Sequence, residues 1–285
     1  MTLTQFKNLI NNKLNLNYPK TEIDTFFFLL IEEKLDFQRI DSVLKADFII
    51  PSEVLSFFNA AIEKLKNEEP IQYILGNTEF YGLPFLVNKN TLIPRPETEE
   101  LVEWIITEIK EKRDKKQDIS ILDIGTGTGC IPISLKKILP NVTVSAIDVS
   151  KEALKTAEEN ATLNSVGISF IETNILSAND LPESYDIIVS NPPYVRELEK
   201  VEIKNNVLEN EPHLALFVED DNPLIFYDKI ADLAKLHLSE NGLLFFEINQ
   251  YLGNETIEML AKKGFKNIEL KKDFSGNDRM IKANL

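Results

Sequence analysis

The chain reads as an α/β protein built on a doubly wound, mostly parallel seven-stranded sheet, with a small helical bundle ahead of it. Three observations predict this. From residue 119 onward, short apolar, β-branched runs alternate with longer segments of helical period, the pattern of βα units whose parallel strands are covered by helices on both faces. Residues 1 to about 68 carry helical period and no strand-like alternation. Three of the ten glycines fall within five residues, Gly125 to Gly129, where the first of those strands meets its helix.

The elements follow in order. Phe6, Leu9, Ile10 and Leu14 mark one helix, Ile23, Phe26, Phe27, Leu30 and Ile31 a second, and Val54, Leu55, Phe58, Ile62 and Leu65 a third. The third is predicted to begin at Pro51, whose missing N–H is harmless at a helix start. It runs into the polar Lys-Asn-Glu-Glu-Pro stretch at 66–70, which predicts a boundary there and a helical domain over 1–70. Residues 71–96 are read as a connector, in which Gly76, Gly82 and Pro84 break up a segment where Phe80, Tyr81, Phe85 and Val87 predict a hairpin. A third region, 97–285, opens with a helix whose acids at Glu97, Glu99 and Glu100 complement its dipole, and the lysine-rich run from Lys110 to Lys116 is read as its solvated end. Strands are expected at 119–124, 142–148, 168–172, 185–190, 241–248, 267–271 and 278–283. Helices are expected near 129–139, 150–164, 221–238 and 253–263.

Composition narrows the function. At 43% apolar and 27% charged residues the chain is globular, and no apolar run approaches the length of a membrane span. The N-terminus lacks the succession of a secretory signal, and a single cysteine makes no internal disulfide, so a cytoplasmic address is expected; a monomer is expected separately. Cys130, His213 and His237 are too few and too scattered for a zinc site, and a metal-free mechanism is expected. With 46 acidic and 31 basic side chains, the net charge of −15 repels a phosphate backbone and weighs against a nucleic-acid substrate.

Two motifs carry chemistry. In Asp123-Ile124-Gly125-Thr126-Gly127-Thr128-Gly129-Cys130, the glycines let the backbone turn sharply and let a ligand lie against the main chain near a helix N-terminus. A merely tight turn needs one glycine. Dinucleotide folds favour Gly-x-Gly-x-x-Gly, whereas here the third glycine comes one residue early, which favours a nucleoside ligand without a pyrophosphate. Asp148, closing the second strand, is placed to accept hydrogen bonds from ribose hydroxyls. Its competing use as a helix N-cap falls more naturally to Ser150.

The second motif, Asn191-Pro192-Pro193-Tyr194, follows the fourth strand, where a doubly wound sheet opens its crevice. The prolines stiffen the loop and free the Pro192 carbonyl to point into the site, and the Asn191 side-chain oxygen is a second acceptor. Two fixed acceptors suit a planar NH₂ group held toward an activated methyl, with Tyr194 stacking on that group. A delocalised amide nitrogen is a poor nucleophile, so positioning must carry the catalysis.

The chain resembles the peptide chain release factor glutamine methyltransferase family. The resemblance extends over nearly the whole length through Pro70-Ile71-Gln72-Tyr73-Ile74-Leu75-Gly76, Glu79-Phe80-Tyr81-Gly82, Leu92-Ile93-Pro94-Arg95-Pro96-Glu97-Thr98-Glu99, the glycine loop and Asn191-Pro192-Pro193-Tyr194. It implies S-adenosylmethionine-dependent methylation of the glutamine amide in the Gly-Gly-Gln loop of class I release factors, and an N-terminal helical domain that helps bind the factor. By position, Gly125, Thr126, Gly127, Thr128, Gly129 and Asp148 bind the cofactor, and Asn191, Pro192, Pro193 and Tyr194 grip the glutamine, with Asn191 also beside the cofactor. Asn174 and Ile175 stand where the family usually shows an acid and an aromatic for the adenine, and Asn249 where glycine is common. Two other readings stay open at this point. One is a methyltransferase for exocyclic amines of nucleic-acid bases, which share Asn-Pro-Pro-Tyr, and the other is a cofactor-binding adaptor without catalysis.

Overall fold

Thr2 opens the first helix with a capping box: its hydroxyl accepts from the Gln5 amide at 3.2 Å while its own amide donates to the Gln5 side chain at 2.8 Å. The computed structural model describes residues 1–112 and 118–285. It divides into two units, Met1–Gly76 with Asn205–Asn210, and Asn77–Lys204 with Glu211–Leu285. The remainder of the lysine-rich run after Lys112 lies outside the described residues.

The helical unit contains α1 (Leu3–Leu14), α2 (Lys20–Leu35), the single turn α3 (Asp41–Leu44), α4 (Ser52–Lys66) and α5 (Ile71–Leu75). Leu3, Phe6, Ile10 and Leu14 of α1 recur on one face and meet Phe27 of α2 and Phe58 of α4, with the rings of Phe6 and Phe58 stacked at 4.4 Å. The sequence reading put residues 71–76 in the connector, but they extend the helical unit. Pro70 caps α5, Ile71 and Ile74 are buried in the helical core, and Gly76, at φ +80°, closes the turn.

The second unit starts with the hairpin β1 (Asn77–Phe80) and β2 (Leu83–Leu86). Tyr81 and Gly82 join them with φ +53° and +70°, the positive pair of a tight hairpin turn, and the Tyr81 amide donates to Glu99 of α6 (Pro96–Lys112). Then follow β3 (Ser120–Ile124), α7 (Cys130–Ile138), β4 (Thr143–Asp148), α8 (Lys151–Leu163), β5 (Ser169–Glu172) and β6 (Tyr185–Ser190). The two-residue strands β7 (Val195–Arg196) and β8 (Phe217–Val218) pair with each other, with α9 (Asn205–Leu208) of the helical unit between them in sequence. The chain ends with α10 (Ile225–His237), β9 (Leu238–Glu247), α11 (Gly253–Lys262), β10 (Lys266–Lys272) and β11 (Asp278–Asn284).

The seven-stranded sheet has the order β10-β11-β9-β6-β3-β4-β5, and only β11 runs antiparallel to its neighbours. Alternate residues of its strands enter two cores: Ile121, Ile187, Val189 and Phe245 pack with α6 and α7, and Leu122, Ile124, Ile188 and Phe246 with α10 and α11. Asn160 of α8 ties the hairpin to this body. Its side chain exchanges hydrogen bonds with both the N–H and the C=O of Leu86 and also donates to the Thr128 carbonyl at 2.9 Å. Among the described residues no helix is long and apolar enough to cross a membrane.

Asp123 is the exception within the sheet, a fully buried carboxyl whose burial the nearby Thr126 hydroxyl offsets only in part. Burial raises it from its ordinary 3.8 to about 7. A raised folded-state value means that the folded protein keeps a proton the unfolded chain has released, so stability falls as pH rises from about 4 through about 7. Asp123→Asn is expected to remove that slope. Melting temperatures of the ligand-free proteins should show a gap in favour of the variant that widens from pH 5 to pH 8; a constant gap would show that Asp123 does not titrate as its burial implies.

Candidate active site

The site is assembled by strand register. Ile124 at the end of β3 pairs with Ser190 at the end of β6 on one side and with Ile147 of β4 on the other, and Asp148 pairs with Glu172 of β5. The residues that follow, Gly125, Asn191 and Thr173, therefore emerge beside Asp148 in one row along the carboxyl ends. The Ser190 hydroxyl donates to the Ile124 carbonyl at 2.6 Å and closes the β3–β6 junction. This is the switch point, because β4 and β5 lead away from β3 on one side and the chain returns through β6 on the other.

A cavity of about 270 Å³ opens there. Gly125, Asp148, Asn174, Ile175, Asn191, Pro192 and Pro193 line it, from the ends of all four strands. Lys89, Asn90 and Leu92, from the chain after β2, and Pro212, Leu214 and Phe226 complete the wall. The structure does not bring every predicted residue to the lining. Thr126, Gly127, Thr128 and Gly129 lie behind it in the turn into α7, and Tyr194 packs against the core on the α10 side of the sheet.

Asp148 is held from two directions: Oδ2 accepts from the Gly127 amide and Oδ1 from the Ser150 amide, both at 2.8 Å. Burial raises its carboxyl and the amide donors oppose that shift. Each oxygen retains room for another donor. Ser150, not Asp148, is the N-cap of α8, accepting from the Ala153 amide at 3.2 Å. Asn174 Oδ1 accepts from the Leu176 amide at 3.0 Å, which fixes its side chain where it meets the cavity.

The Asn-Pro-Pro-Tyr loop is gripped from behind by residues that sequence reasoning left without a role. Thr98, at the start of α6, accepts from Asn191 Nδ2 at 3.4 Å and donates its hydroxyl to Glu247 Oε2 at 2.6 Å. The Tyr194 hydroxyl donates to Glu247 Oε1 at 3.1 Å, so this buried carboxyl at the end of β9 touches both ends of the loop's support. Burial raises Glu247, against the donors Thr98 and Tyr194 and the nearby Arg279 guanidinium. Asn249, whose replacement of glycine had no evident consequence in the sequence, donates to the Tyr194 carbonyl at 2.9 Å and to Glu199 at 2.7 Å. The Ile-Pro-Arg-Pro segment is anchored in the same region: buried Glu211 accepts from Arg95 at 2.6 Å and from the Ile93 amide at 3.1 Å, immediately before cavity-lining Pro212.

These residues fit a nucleoside-bearing cofactor. A Cβ at Gly125 would meet only the Asn191 carbonyl oxygen, 4.0 Å away, so the main chain there is open to close approach, and the neighbouring Asp148 carboxylate has acceptor capacity for hydroxyl groups. Gly125 and Asp148 would hold such a group, with Asn174 and Ile175 at the far wall for its base.

The chain is similar to known proteins over nearly its whole length. The family described as Methyltransferase small domain matches residues 103–216, and that described as PrmC N-terminal domain matches 15–76. Among solved structures, the hMettl16 catalytic domain superposes with a TM-score of 0.56 at 15% identity, covering 82% of each chain, which speaks to the fold alone. The release factor glutamine methyltransferase of Flavobacterium psychrophilum is 59% identical over 94% of this chain and 93% of its own length. That of Bacteroides thetaiotaomicron is 42% identical over 96% and 97%. The protein belongs to the release factor glutamine methyltransferase family.

Proposed function

We propose that the protein transfers the methyl group of S-adenosylmethionine to the side-chain amide nitrogen of the glutamine in the Gly-Gly-Gln motif of class I release factors. The observation that carries this reading is one cavity lined both by Asp148, suited to ribose hydroxyls, and by Asn191-Pro192-Pro193, suited to an amide, at the ends of the two strands that flank β3. The net charge of −15 supports a protein substrate over a nucleic acid. We further take the enzyme to act as a cytoplasmic monomer.

When bound, the cofactor supplies an electrophilic methyl group. The chain supplies orientation. Asn191 Oδ1 and the Pro192 carbonyl accept from the two N–H groups of the substrate amide and stop its rotation. The two prolines keep both acceptors at fixed separation. Such orientation is worth about 7–11 kcal/mol in favourable cases, which suits a nitrogen whose lone pair is delocalised. Tyr194 acts from below the loop through its hydroxyl on Glu247, so its contribution is to hold the loop while any face it offers the substrate is secondary.

Docking of the factor falls to the helical unit. Val43, Leu44 and Ile49 there are each more than 70% exposed, an apolar group at the surface of a bundle whose core is otherwise complete.

Incubation of a release factor with this protein and S-adenosylmethionine should add one methyl group to the Gly-Gly-Gln glutamine, read by intact mass and peptide mapping; transfer only to DNA or RNA would refute the assignment. Asn191→Ala is expected to lower turnover by roughly 10²-fold or more, since it removes a desolvated acceptor and frees the substrate amide. Near-normal turnover would rule out the amide clamp. Asp in place of Val43 and Leu44 together should raise KM for the factor while calorimetric cofactor affinity stays unchanged, and an unaltered KM would place docking elsewhere.

A further inference from the structure

An asparagine side chain has two ends of similar shape and opposite chemistry. Rotation by half a turn would present Nδ2 to the cavity in place of Oδ1, and a substrate NH₂ would then meet a donor. The stiffness that the prolines give the backbone does not select between the two. Something beside the loop must do so.

Thr98 and Glu247 do this by direction of hydrogen bonding. A hydroxyl has one hydrogen, and the Thr98 hydroxyl donates it to Glu247 Oε2 at 2.6 Å. Its lone pairs are what remain for Asn191, so only Nδ2 can bond there, at 3.4 Å; Oδ1 in that place would face oxygen lone pairs. The carboxylate is itself fixed. Its second oxygen accepts from the Tyr194 hydroxyl at 3.1 Å, and the Tyr227 hydroxyl donates to the Glu247 main-chain carbonyl at 3.2 Å. Arg279 stands behind, donating to Asp273 at 3.0 Å and reaching the Tyr194 hydroxyl at 3.5 Å. Thr98 and Glu247 are both buried, so water does not offer Thr98 another acceptor.

We propose that Thr98 and Glu247 are positioning residues that lock the Asn191 amide with Nδ2 inward and Oδ1 toward the cavity, making Asn191 an obligate acceptor for the substrate amide. The proposal deepens the function given above and rests on it. It also gives the Pro-Glu-Thr-Glu end of the Leu92–Glu99 motif a purpose: Thr98 touches the reaction loop directly at Asn191 and, through Glu247, is tied to Tyr194.

Thr98→Val keeps the shape and loses the hydroxyl, Thr98→Ser keeps the hydroxyl, and Glu247→Gln lets residue 247 donate, so that the Thr98 hydrogen can turn to Asn191. In the full-length protein, kcat for release-factor methylation is expected to fall about 10-fold or more in Thr98→Val and in Glu247→Gln. KM for the factor and calorimetric affinity for S-adenosylmethionine should stay close to wild type, and Thr98→Ser should restore turnover. A merely structural role would lower melting temperature and affinity along with kcat. The side-chain amide ¹H–¹⁵N pair of Asn191 gives a readout independent of turnover: it should shift in Thr98→Val and return in Thr98→Ser. An unshifted pair, or turnover in both Thr98→Val and Glu247→Gln within about twofold of wild type, overturns the proposal. If the wild-type protein transfers nothing to release factor, the functional reading falls and the amide resonances still decide whether Thr98 orients Asn191. Should Thr98→Val fail to fold, Glu247→Gln decides.

Discussion

Everything at the site depends on the in-register ends of four parallel strands. Ile124 is the keystone residue, paired with Ser190 on one flank and Ile147 on the other. A slip of one residue in either ladder would turn every side chain to the opposite face. Leu122 and Ile124 would leave the core shared with α10 and α11, and Asp148 and Asn191 would no longer flank Gly125. The two apolar cores thus set the register, and the register sets the site. The Ser190 hydroxyl on the Ile124 carbonyl adds a polar lock where the ladder runs out and the backbone needs a partner.

The fold was largely legible because its signals are local. Strands at 119–124, 142–148 and 185–190 announce themselves by β-branched runs; the observed β3 and β4 each begin one residue later and β6 has the expected bounds. The site was legible for a related reason. In a doubly wound sheet the carboxyl end of a strand is a known place, so a motif just after a strand is already located in space. The short helix α5 escaped because a five-residue segment carries too little periodicity to stand out between Pro70 and Gly76. The Thr98–Glu247 bond escaped because its partners are 149 residues apart, and Arg95 with Glu211 are 116 apart. No local pattern encodes such pairs, since each depends on where β9 and the chain before α10 come to rest.

Asn249 shows how a departure from a family's habit can be structural without being local. Glycine at that place could offer neither of its donor bonds. Its side chain spans the Tyr194 carbonyl and Glu199, while its oxygen accepts from the Tyr251 amide at 2.9 Å. Glu199 in turn accepts from the Arg196 amide and guanidinium at 2.8 and 2.7 Å. The backbone just after the two prolines is therefore held by a polar network, whereas Asn191 just before them is held by Thr98. The loop is clamped at both ends and its middle, Pro192 and Pro193, needs no donor of its own.

The glycine loop divides its labour in a way that explains the spacing. Gly125 faces the cavity, at φ +79° and with open space beside it. Gly127, at φ +54°, turns its amide onto Asp148, so a residue that touches no cavity wall still sets the carboxylate that does. Gly129 serves packing. At φ +78° it precedes α7, and a Cβ there would stand 2.9 Å from Ile133 Cδ1 and 3.2 Å from Ala157 Cβ on α8. The third glycine must therefore sit where the first turn of α7 meets α8, one residue before Cys130, which lies inside the helix and is itself buried. A dinucleotide loop sets its third glycine one residue later, where it serves close helix–strand packing. The difference in spacing therefore reports where two helices touch, which a reading in terms of ligand chemistry alone leaves out.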